Sequence, residues 1–226
     1  MARKDLKNMA VKKETSAVMV PVNNEEMTTK ERIFEVALDL FAKKGYDAVS
    51  MREIAEAVGI KKASLYSHFA SKDDLLGQIF NYPTAALSGI GPEGQDPETM
   101  IVSMGVEGFM TMATGVFNRW MSMPRMEKVW RIVCIEVYHD ERMKKFYKKF
   151  TDDAFAYWRS NFALMGKHKL IKRLDTDALA REYLSFYVYA FMDYFIVNYG
   201  SAGSFLEAEG KWLDDHTAFL VNSIKA

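Results

Sequence analysis

The sequence predicts an all-α protein, on three observations. Apolar residues recur at three- and four-residue intervals along most of the chain, the spacing of one helix face. Pairs of the form Ser/Thr-x-x-Glu/Asp head four of these stretches, at Thr28/Glu31, Ser50/Glu53, Ser71/Asp74 and Ser204/Glu207. In such a pair the hydroxyl takes a backbone N–H of the first turn and the acid reaches back, so each pair marks a helix start. No stretch alternates convincingly between apolar and polar residues as a half-buried strand would, and no internal repeat is present.

Taken in order, residues 1–27 lack hydrophobic periodicity and are rich in Lys, Glu, Asn and Met, which predicts a mostly disordered arm. A helix opens at Thr28, carries Ile33, Val36, Ala37, Leu40 and Phe41 on one stripe, and ends at Lys43, Lys44 and Gly45. Ser50 opens a shorter helix with Met51, Ile54, Ala55 and Val58 inward, stopped by Gly59. Between Gly59 and Ser71 lies a short helix anchored by Leu65 and Phe69, four apart on one face, and another helix starts at 72–76. The Gly- and Pro-bearing string 81–96 reads as a connector ending in Asp96 as N-cap and Pro97 at the first helical position. Further helices are expected near 97–121, 125–138, 140–165, 176–198 and 204–224, broken at Pro124, 166–169 and 200–203. The expected division is an arm over 1–27, a three-helix domain over 28–76 and a helical domain over 77–226.

Composition narrows the function classes. A hydrophobic fraction of 49% and a charged fraction of 27% give an ordinary globular core. The single cysteine, Cys134, allows neither an internal disulfide nor a multi-cysteine zinc site, and a reducing, cytoplasmic setting is expected. The short apolar run at 17–22 is broken by Pro21 and does not read as a signal peptide. The longest apolar run, 187–197, contains Asp193 and falls short of the roughly 20 residues that span a bilayer, so no membrane partner is expected. Catalysis finds no residues. Gly89 to Gly94 fits G-x-G-x-x-G, but no strand precedes it and no βαβ pattern follows. Glu136 and His139 form one Glu-x-x-His pair of the kind that di-iron bundles use twice; no second pair exists among the four histidines, so they read as a surface pair. There is no P-loop, G-x-S-x-G elbow or zinc-protease motif, and no cofactor or metal is expected.

Two short helices joined by a glycine-containing turn, 50–59 and 61–69, are the layout of a helix-turn-helix, whose second helix lies in a major groove. With Leu65 and Phe69 inward at about 100° per residue, Ala63 and Ser67 face outward. Lys62 and Tyr66 flank them on one side, Ser64 and His68 on the other. The chain's net charge of +0, from 30 basic and 30 acidic residues, hides a local strip: Lys61, Lys62, His68 and Lys72 stand without an acid between 61 and 72. A small, polar, cationic face suits close approach to base edges and phosphates.

The segment 41–76, FAKKGYDAVSMREIAEAVGIKKASLYSHFASKDDLL, resembles the DNA-binding domain of the tetracycline-repressor (TetR) family of transcriptional regulators. The likeness covers 28–76 and is densest in Gly45-Tyr46, in Ile54-Ala55-Glu56-Ala57-Val58-Gly59-Ile60, and in Ser64-Leu65-Tyr66-Ser67-His68-Phe69 followed by Ser71-Lys72. It implies that Lys62, Ala63, Ser64 and Ser67 lie near base edges, with Tyr66, His68 and Lys72 on phosphates and Ser50 and Arg52 on the backbone. Ser67 departs from the many relatives that carry an aromatic residue there. Lys72 also stands in the first turn of its helix, where free backbone N–H groups favour an anion. The implied partner is a near-palindromic double-stranded DNA operator, bound by a repressor that a small-molecule effector releases. A helical interaction adaptor or an activator with the same fold and no ligand-controlled release is the alternative.

Across 183–197 every residue but Ser185 and Asp193 is apolar or aromatic, so this helix needs cover on both sides. The last helix carries Phe205/Leu206, Trp212/Leu213 and Phe219/Leu220 seven residues apart. Two such helices and their symmetry mates form a four-helix interface, and the resemblance also implies a homodimer. Gly105, Gly108 and Gly115 weaken the interior of the helix over 97–121. With Met104, Phe109, Met112, Phe117, Trp120, Trp130, Tyr138, Trp158 and Phe162 they are expected to form an adaptable pocket for a small apolar or aromatic effector, although the same side chains equally suit plain core. Asp193 reads as the buried partner of a tyrosine.

Overall fold

A computed structural model describes residues 27–87, 96–201 and 203–226, with side chains described for all of these but 82–87. All of the expected arm except Met27, and the string 89–94, lie outside the described residues. The described residues form α1 (Thr29–Lys44), α2 (Met51–Val58), α3 (Lys62–His68), α4 (Lys72–Leu87), α5 (Pro97–Met121), α6 (Pro124–Glu136), α7 (Glu141–Lys167), α8 (Thr176–Met192), a π-helical turn (Asp193–Asn198) and α9 (Phe205–Ile224). They contain no strand; a lone antiparallel bridge between Ile171 and Lys225 ties the α7–α8 loop to the C-terminal end.

The caps work as their residue types dictate. Thr28 and Ser204 each close a reciprocal capping box with Glu31 and Glu207. Ser50 caps α2 alone, because the Glu53 carboxylate turns to Lys44 at 2.5 Å. The Ser71 hydroxyl accepts from Asp74 N–H at 3.0 Å, while Asp74 reaches back to the N–H of Ala70, also at 3.0 Å.

α1, α2 and the start of α4 pack Ile33, Leu38, Phe41, Ile54, Leu75 and Ile79 around Leu65 and Phe69 of the α3 region. This small head sits on the C-terminal bundle through α6, which lies against α1 and α4. In the bundle α5 packs on α9 and α7, and α7 on α8. By length and composition α5 is apolar enough to cross a bilayer, a feature masked in the sequence by Glu98, Glu107 and Arg119. A third of that apolar stretch is buried in the bundle, where α5 contacts α7 and α9 and Ile101, Val106, Phe109 and Met110 turn inward.

Four expectations change. The connector begins later than residue 81: α4 continues past Pro83 to Leu87, a continuation that Pro83 and the glycines after it concealed. α5 is broken inside by Gly105, whose backbone (φ 68°, ψ 179°) is one that residues with a Cβ rarely adopt. The helix over 176–198 finishes in a π-helical turn, within which Asp193 is half-buried; its partners are the Asn198 amide, 2.9 Å away, and the Glu209 carboxyl, and not a tyrosine. Glu136 is buried, at 9% exposure, and so is not half of a surface pair.

Candidate nucleic-acid interface

α3 owes its inward anchors to Leu65, fully buried, and to Phe69 just past its C-terminal end. Lys61, Lys62, Ala63, Ser64, Tyr66 and Ser67 are exposed and His68 is half-buried, so the reading face expected from the sequence is the solvent face. The turn before it depends on Gly59, which ends α2 in the left-handed region (φ 79°). Arg32 of α1 reinforces the same corner by donating to the Val58 carbonyl at 2.7 Å. Nothing in the local pattern pointed to Arg32, because its partner lies 26 residues away.

A groove of about 420 Å³ runs beside α3, lined by Asp47, Ala48, Val49, Ser50, Met51, Arg52, Lys62, Tyr66 and Lys72. It brings together five of the nine side chains expected to touch DNA: Ser50, Arg52, Lys62, Tyr66 and Lys72. Ala63, Ser64, Ser67 and His68 do not line it. The groove holds three cations against one acid, Asp47, and the N-terminus of α2 faces it through Ser50 and Met51. That arrangement favours an anion.

The charges are prepared to different degrees. Lys62 lies over the Tyr66 ring at 5.7 Å and stays exposed. Arg52 is engaged at 2.7 Å by Glu56 on the helix surface, an exposed pair worth little against a phosphate. Lys72 is more committed: its ammonium donates to the carbonyls of Tyr46 (2.8 Å) and Val49 (3.0 Å) and sits 4.0 Å above the Tyr46 ring. One of its three protons remains to meet an anion. The Ser67 hydroxyl donates to the Ser64 carbonyl at 2.7 Å, so it faces solvent mainly as an acceptor. Burial, helped by a hydrogen bond to Asp73, pushes the Tyr46 hydroxyl up to about 12.

In the bundle, seven of the nine aromatic and methionine side chains expected to line a pocket are buried or half-buried. Phe117, Trp120 and Trp130 cluster with Phe150 and Phe191, and Phe109, Trp158 and Phe162 form a second set. Tyr187 and Tyr183 join the two, 5.0 Å from Phe117 and 4.4 Å from Trp158. The other two are corrected: Met104 is 42% exposed beside the Gly105 break, and Tyr138 is 80% exposed past the end of α6. Helical spacing alone did not reveal that α6 stops at Glu136 and leaves Tyr138 outside.

The sequence reading also missed a buried hydroxyl set, because its members lie on three helices. Thr114 meets Tyr183 at 3.2 Å and Thr217 at 3.0 Å, and Tyr183 meets Tyr187 at 2.7 Å. Burial raises both tyrosines and keeps them neutral. The indole N–H groups of Trp120 and Trp130 and the Asn118 side-chain oxygen make no hydrogen bond among the described residues. Burial pushes the Cys134 thiol up to about 12, which disfavours its thiolate. Among the described residues no three His, Cys, Asp or Glu side chains gather as a metal would need.

The family of bacterial regulatory proteins named for tetR matches residues 33–79. The biofilm operon icaADBC HTH-type negative transcriptional regulator IcaR of Staphylococcus aureus (strain Newman) is 49% identical over 49 residues, 22% of this chain and 26% of IcaR. The match thus spans about a quarter of that relative's length. A regulator from Saccharomonospora viridis solved in complex with choline superposes with a TM-score of 0.54 at 21% identity, covering 87% of this chain and 97% of its own. The SmeT–triclosan complex superposes with a TM-score of 0.61 at 13% identity, over 88% and 93%. At such identities the two structures speak for the fold, and the head speaks through its sequence. Residues 33–79 thus match the tetR family of bacterial regulatory proteins, and the chain as a whole shares the all-helical fold of these two structures.

Proposed function

We propose that this chain is a homodimeric repressor acting in the cytoplasm, which holds a near-palindromic DNA operator and lets go when a small molecule enters its C-terminal bundle. The carrying observation is the reading face of α3 beside a cationic groove at the N-terminus of α2. Base edges would meet Lys62, Ala63, Ser64 and Ser67, and phosphates would meet Ser50, Arg52, Tyr66, His68 and Lys72. The dimer is supported by Val188, Tyr189, Met192, Trp212 and Phe219, large apolar side chains that α8 and α9 leave exposed in one protomer. Two heads so joined would read half-sites about 34–36 Å apart.

The effector reading rests on the aromatic interior. An apolar or aromatic molecule with a hydrogen-bond acceptor suits the Trp120 and Trp130 indole N–H groups, which are desolvated without a partner among the described residues. Bound choline and triclosan in two proteins of this fold favour a small-molecule effector here as well. Selecting bound fragments from random duplex DNA tests the proposal. A two-fold motif with half-sites one helical turn or a multiple apart is the expected result, and recovery of no motif would overturn the operator reading. A ligand that raises the melting temperature without changing operator affinity would overturn release.

A further inference from the structure

Glu136 touches no part of the reading face, yet it is one of the few buried acids, on the last residue of α6. Its Oε1 accepts the backbone N–H of Tyr46 at 2.7 Å, in the turn between α1 and α2 and 90 residues earlier in the chain. The turn is shaped to admit it. Gly45 has φ +84°, and a Cβ there would stand 3.0 Å from the same carboxyl oxygen. Tyr46 passes the hold onward: its carbonyl and that of Val49 take two protons of Lys72, and its hydroxyl donates to Asp73 at 2.7 Å. Arg142 of α7 grips Asp73 from the other side at 2.6 Å. Val49 and Lys72 are walls of the cationic groove.

We propose that Glu136 is a positioning residue for the phosphate groove, acting through the Tyr46 turn; this rests on the reading of the groove as a DNA-backbone site. Loss of the carboxyl frees the Tyr46 turn, and with it the carbonyls that aim Lys72.

The full-length chain tests this on a mixed-sequence duplex of about ten base pairs, one helical turn, which admits one head and makes spacing irrelevant. Affinity is measured over a range of salt. Glu136→Ala is expected to weaken binding about tenfold and to flatten the salt slope by about 1, the loss of one phosphate contact. Glu136→Gln, whose amide oxygen accepts the same N–H, should stay within about threefold of the parent, as retention of the acceptor requires. A parent protein that ignores DNA sinks the DNA reading itself. A parent that binds, with a folded Glu136→Ala of equal affinity and slope, overturns the role of Glu136. Should Glu136→Ala not fold, Arg142→Gln removes the second grip from an exposed side chain: binding weaker by about threefold supports the proposal, and unchanged binding overturns it.

Discussion

The head and the bundle both present surface that folding of one protomer does not use, and the two surfaces differ in kind. On α3 the unused face is lysine, serine, alanine and a tyrosine under a lysine. On α8 and α9 it is Val188, Tyr189, Met192, Trp212 and Phe219, with Tyr189 and Trp212 stacked on each other at 6.4 Å. A cationic face of small side chains loses little when it stays wet and gains when a polyanion displaces its counterions. An apolar face of large side chains is costly to leave in water and gains only from another apolar face. On the proposed reading, the chemistry of the leftover surface separates a nucleic-acid partner from a second copy of the chain.

The sharpest way to break this contrast is to make the apolar face behave like the cationic one. Phe219→Asp, on a side chain 70% exposed in the protomer, should shift the protein from dimer to monomer in sedimentation analysis. Binding to a two-half-site operator should then fall by about a hundredfold or more, since the second head no longer acts at high effective concentration. Retained dimers would remove Phe219 from the interface. Next in size, Trp130→Ala empties the fully buried centre of the bundle and should cost about 3–5 kcal/mol in denaturant unfolding. A cost below about 1 kcal/mol would mean that the cluster around Trp130 is loosely packed.

Smaller effects distinguish two lysines of the head. Lys62 is exposed, so Lys62→Ala should flatten the salt dependence of DNA binding by about 1 with little change in melting temperature. Lys72 bonds two carbonyls, so Lys72→Ala should flatten that dependence and also lower stability by about 1–3 kcal/mol. Equal melting temperatures for the two variants would contradict the structural hold on Lys72.

The smallest effect concerns acid. Hydrogen bonds from Tyr46 and then Arg142 hold the Asp73 carboxyl below its ordinary range, and Arg142 does the same for Asp140. A carboxyl lowered in the folded state adds stability above its unfolded value of about 3.9 and loses it as pH falls through the lowered folded value. Melting temperature should drop below about pH 4, and the drop should be shallower in Asp73→Asn.

What the sequence disclosed follows from the range of its signals. Caps, periodicity and breakers act within four residues, and they located nine helices among the described residues, most ends within two positions. The reading face was legible for the same reason: Leu65 and Phe69 fix the rotation of a seven-residue helix. Whatever depends on distant pairs was not legible. Glu136 read as half of a surface pair with His139, and only the fold brings the Tyr46 N–H to it. The Thr114, Tyr183 and Thr217 hydroxyls lie up to 103 residues apart, so no local pattern announces them. Tyr138 failed because its side depends on where α6 stops, a matter of one or two residues.

The measurement that bears most directly on the central claim is equilibrium binding of the purified full-length chain to double-stranded DNA across salt concentrations. A reading helix flanked by a cationic groove predicts tight binding in dilute salt and a log–log slope of about −0.9 for every phosphate neutralised. Absence of binding to any duplex in dilute salt, or a slope near zero, would contradict it.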